Sequence, residues 1–157
     1  MIKIKNVLFV LIFLAMMLLT GCGEPSHSYY SLEDSEYDTA DFLELEMECS
    51  EYERDVKEIT FSLANSSDKT FWFGYDFDLH RFDDDSGEWK GVAFEKEHFF
   101  YAVAIGVNSS KPYTYTIDLE EMYNLPLSPG RYRLVKDGRL DDEDGKYYVM
   151  YAEFTIK

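Results

Sequence analysis

Cysteine is scarce: two in 157 residues, Cys22 and Cys49. One pair cannot build the dense disulfide framework of a small stapled domain, and no paired C-x-x-C is present for a redox or zinc site. Lysine and arginine number 15 against 31 aspartates and glutamates, a formal charge of −16. So acidic a chain repels phosphate backbones and anionic membrane faces, which argues against a nucleic-acid partner. HExxH, GxSxG and a phosphate-cradling glycine loop are all missing, so the usual hydrolase and nucleotide readings lack their first requirement. No catalytic residue and no cofactor is expected.

Apolar runs are scarce too, apart from one. Residues 7–19 are thirteen uninterrupted apolar residues behind Lys3 and Lys5. As a helix they reach only about 20 Å, short of the roughly 20 residues a bilayer core requires. Such a run fits the h-region of a signal peptide, and Leu19-Thr20-Gly21-Cys22 follows it directly. These four residues resemble the lipobox of bacterial lipoprotein signal peptides. The resemblance implies a diacylglyceryl thioether on Cys22, cleavage after Gly21, and a chain moored to the cell membrane facing out of the cytoplasm. Two acyl chains hold firmly where one binds marginally. An ordinary signal peptide or an uncleaved anchor is the competing reading. Losing Lys3 and Lys5 with residues 1–21 takes the charge from −16 to −18.

About 135 residues would remain, enough for one domain with its own core. Residues 22–40 are rich in Ser, Glu, Asp and Tyr without apolar period and read as a flexible acidic tether. Residues 41–157 form the expected domain. In "LELEMEC" the alternation points Cys49 inward, as a free packing thiol. A disulfide between Cys22 and Cys49 survives only if the lipobox reading fails.

Alternation with period two dominates the domain. Ile59, Phe61 and Leu63 share one face, as do Phe71, Phe73, Tyr75, Phe77 and Leu79. Ser86-Gly87 predicts a tight reversal, with residues 89–94 returning as a strand. Phe99, Tyr101, Val103, Ile105 and Val107 predict another strand, and residues 113–119 a further one after the "NSSKP" turn. Residues 132–135 and 148–156 supply the last pair, and "DLEEMYN" could form a single turn of helix. Seven or eight short strands with turn signals between them mean an all-β, antiparallel sandwich.

Pro129-Gly130 precedes Tyr132 by the spacing of a tyrosine corner, in which the hydroxyl ties back to the backbone. Together with Asn65, Gly74-Tyr75, Gly87, Trp89, Leu127 and Arg133, this resembles a bacterial immunoglobulin-like domain family of Gram-positive envelope proteins, over residues 42–156. The resemblance implies an immunoglobulin-like β-sandwich outside the cell and no particular activity.

Two readings of function follow. One is a non-catalytic binding, adhesion or spacer module engaging a cell-envelope protein or glycan, with Trp72 and Phe82 as candidate contacts on the face opposite the apolar set. A bulge at Gly74 would instead bury them. The other is an envelope enzyme or metal-dependent factor using Asp76, Asp78 and His80, two residues apart on one strand face. "DDDSGE" and "DDEDG" lack the residue order of a calcium loop and read as acidic turns.

Overall fold

A computed structural model of the chain describes residues 37–96, 98–141 and 146–157. The lipobox and residues 22–36 of the expected tether lie outside the described residues. Those described form strands and no helix: β1 (Tyr37–Asp38), β2 (Leu43–Met47), β3 (Glu51–Tyr52), β4 (Glu58–Asn65), β5 (Phe71–Phe73), β6 (Asp78–Asp83), β7 (Glu88–Gly91), β8 (Ile105–Val107), β9 (Tyr113–Asp118), β10 (Gly130–Leu140) and β11 (Tyr147–Ile156).

These strands make two sheets, as the period-two patterns require. The small sheet has the order β2-β4-β9, antiparallel throughout. Ile59, Phe61 and Leu63 of β4 face the core, and Thr60 and Thr116 meet on the outer side with hydroxyls 2.9 Å apart. The large sheet is built around β10, which pairs with all of β11 on one side. On its other side β10 pairs first with β6 and then with β5. Between the sheets, Leu45, Phe61, Leu63 and Ile117 pack with Phe71, Leu79, Leu134 and Phe154. Each fully buried side chain of this size contributes about 1.5–3 kcal/mol.

The tyrosine corner forms as its spacing predicts: the Tyr132 hydroxyl donates to the carbonyl of Ser128 over 2.8 Å. The β6–β7 reversal also matches. Gly87 has φ +73°, in the left-handed region that favours glycine, and its N–H donates to the Asp83 carbonyl over 2.8 Å. "DLEEMYN" makes its single turn, with the Tyr123 N–H donating to the Leu119 carbonyl over 2.8 Å.

Four expectations are corrected. Cys49 is exposed, because β2 ends at Met47 and the alternation ends with it. The strand expected from Phe71 to Leu79 is two strands, β5 and β6, parted by residues 74–77. The return strand after Gly87 stops at Gly91, two residues past Trp89. Finally, Phe99, Tyr101 and Val103 lie in a loop, and only Ile105–Val107 enters the sheet. Phe99 is 77% and Tyr101 82% exposed, so that alternation has no core face to serve.

Candidate functional site

The break between β5 and β6 organises the outer face of the large sheet. β6 pairs with β10 as far as Asp78↔Val135, and β5 takes over at Trp72↔Arg139. Opposite Lys136, Asp137 and Gly138 neither strand is in register. Lys136 belongs to the inward series of β10 with Leu134 and Leu140, and it is only 2% exposed. Its ammonium turns into the break, donating to the carbonyl of Gly74 over 2.8 Å and to that of Asp76. Backbone carbonyls that lost their ladder partner are thus satisfied by a side chain. Nζ also stands 5.2 Å from the centre of the Phe73 ring.

Burial pulls the Lys136 ammonium down to about 8, against the opposing pull of Asp76, Asp137 and Asp78. Burial in turn pushes the carboxyls of Asp137 and Asp78 upward, and Asp76 adds to both shifts. Lys136 is the residue that sequence reasoning missed. A charged residue in an inward register position was the available signal.

Above this break lies an open groove of about 740 Å³. Trp72, Asp76, Tyr101, Asp137, Arg139 and Asp141 are among its walls. Trp72 is 38% exposed on the outer face of β5. The chain does leave the sheet at Gly74, yet Trp72 precedes the break and keeps its register.

Phe82 is placed elsewhere. It also points outward, but Trp89 meets it edge-on at 5.3 Å and the Arg131 guanidinium covers it at 4.7 Å from the ring centre. Arg133 continues the stack, 4.8 Å from the Trp89 ring and 4.4 Å from the Tyr151 ring. Such contacts contribute about 0.5–1 kcal/mol each at exposed sites. Phe82 is therefore part of a packed arginine–aromatic ladder and does not join Trp72.

Asp76, Asp78 and His80 are not brought together as a site. Asp76 sits in the break, whereas Asp78 and His80 are in β6. His80 Nδ1 accepts from Arg133, at 3.3 Å from Nε and 3.1 Å from Nη2. Burial, and then that guanidinium, lower its pKa from 6.5 to about 4. A ring nitrogen facing a fixed cation is poorly suited to hold a metal ion. Among the described residues no three His, Cys, Asp or Glu converge on one point.

Two sheets packed face to face and closed by a tyrosine corner define an immunoglobulin-like sandwich. The chain belongs to the bacterial Ig-like domain family, whose model matches residues 39–155. No curated protein matches it. Among solved structures it is similar to the alkylpurine DNA glycosylase AlkC of Pseudomonas fluorescens, bound to DNA containing an abasic site analog. That match has 11% identity over 74% of this chain and 30% of that one, with a TM-score of 0.38. It is also similar to the sporulation control protein Spo0M of Bacillus subtilis, at 14% identity over 73% of this chain and 48% of that one, with a TM-score of 0.40. The chain thus spans less than half of either protein.

Proposed function

We propose that this chain is a lipid-anchored envelope protein whose sandwich is a non-catalytic binding module, engaging its partner through the groove over Trp72. Membership of the bacterial Ig-like family supports a binding or spacer role. The observation that carries binding over spacing is Trp72 itself: a large aromatic side chain, 38% exposed, in the wall of a groove beside charged groups. The anchor rests on Leu19-Thr20-Gly21-Cys22 behind its apolar run.

Two measurements test this. Cys22→Ala should leave an unprocessed precursor or a shed soluble form, and the anchor reading is wrong if the variant fractionates and migrates like wild type. Crosslinking on intact cells should recover a protein or glycan with the wild-type chain and lose it with Trp72→Ala. Recovery of envelope background alone by both would leave a spacer.

A further inference from the structure

The negative charge of this chain is unevenly spread. From His98 to Ile117 there is no aspartate or glutamate, the longest such run beyond residue 24 in a chain that has 31 of them. Lys111 is the one lysine or arginine in the run. The run contains β8 and β9, and each of them ends its sheet: β8 pairs only with β5, and β9 only with β4.

A sheet edge is an open template for another strand, and proteins guard their edges with short length, charge, proline or bulges. The other edges of this sandwich are guarded. β2 exposes Glu44 and Glu46, β7 carries Glu88 and Lys90, and β1 and β3 have two residues each. β8 has three residues. β9 has six, in unbroken register with β4, without proline or glycine and uncharged up to its last residue, Asp118. Alternate residues of an antiparallel strand bond the neighbour on one side, so the main-chain groups of the others point away from β4. Among the described residues, Tyr113–Asp118 makes no main-chain hydrogen bond to any other segment.

Charge says what this edge can take and in which direction. A basic partner is drawn to the acidic faces, whereas a second copy of this acidic chain meets least repulsion where carboxylates are missing. Lys111 stands two residues before β9 and makes no ion pair among the described residues. Asp118 closes the strand, with Oδ1 accepting from the N–H groups of Glu120 and Glu121. When two copies meet antiparallel about a two-fold axis, Lys111 of each comes beside Asp118 of the other, with the axis near Thr114 and Tyr115. A parallel arrangement would set like ends together. Thr114 and Thr116, exposed on the outer side, then meet threonines across the new pair, a favourable cross-strand contact.

We infer that two copies of this chain associate through β9, edge to edge and antiparallel, joining their three-stranded sheets into one of six strands. Neither the groove nor the anchor enters this inference, and it can fail without them. The full chain in density-matched detergent is sedimented to equilibrium over a range of concentrations, so that protein mass alone is read. A monomer–dimer equilibrium is expected. Thr114→Glu, which sets two carboxylates near the axis, should weaken it about tenfold or more while leaving the urea midpoint near wild type. Lys111→Glu should weaken it too. Adding Asp118→Asn should recover part of that loss, because the amide oxygen still accepts from Glu120 and Glu121 while the repulsion is gone. A chain that stays monomeric overturns the inference and leaves the edge to a strand of another protein. A dimer indifferent to both Thr114→Glu and Lys111→Glu is held by other surfaces and overturns it equally.

Discussion

Nζ of Lys136 lies 2.8 Å from the carbonyl oxygen of Gly74, an ammonium inserted from between the sheets into a gap in one of them. The lysine replaces the rungs that β5 and β6 cannot supply, and it does so at the cost of a buried charge.

That cost is visible in pH dependence. With a folded value of about 8 against an ordinary 10.5, the unfolded chain holds the proton across that window. Stability therefore rises with pH from about 8 to 10 and is flat below, as far as Lys136 is concerned. Tyr52, Tyr113, Tyr115 and Tyr132, raised by burial, act in the opposite sense at higher pH. Urea melts of wild type and Lys136→Met cancel the tyrosines: wild type should gain on the variant from pH 8 to 10. Parallel curves would mean that the ammonium is not desolvated.

His80 should be neutral wherever the protein is folded near neutral pH. Its imidazole signal in an NMR titration should move with a midpoint near 4, reflecting burial first and Arg133 second. Arg133→Met should raise the midpoint only part of the way to 6.5, since burial remains. Because the folded value is depressed, the stability His80 contributes is complete above pH 6.5 and is lost as pH falls toward 4. A wild-type midpoint near 6.5 would refute the buried placement.

Tyr132→Phe removes the corner hydrogen bond to Ser128 and leaves the ring in place. A single such bond contributes about 1 kcal/mol, which in a domain of this size lowers Tm by about 4 °C. Calorimetry checks this. An unchanged Tm would make the corner decorative.

Cys49, exposed at the end of β2, should react with a maleimide in the native chain without denaturant. Labelling only after unfolding would restore the inward position that alternation predicts.

The legible part of the fold was whatever alternation and turn chemistry decide locally. β4 alternates along its whole length, and Gly87 and Tyr132 mark their turn and corner through backbone geometry. What alternation could not show was where it stops. The runs through Tyr75 and through Tyr101 look like strands in sequence. A strand also needs a neighbour in register, and β10 has none to offer opposite Lys136. Trp72 was legible as outward because its register is set before that break. The groove was not, since Trp72, Tyr101 and Asp137 come from segments far apart in the chain and meet only through the topology.

β11 runs parallel to two short early strands, β1 beside Tyr147 and Tyr148 and β3 beside Thr155 and Ile156. Tension drawn from the amino-terminal side against the end of β11 would slide these parallel pairs lengthwise, loading their bonds together where an antiparallel hairpin would peel one bond at a time. Pulled along that direction, the domain would resist more than when pulled across it.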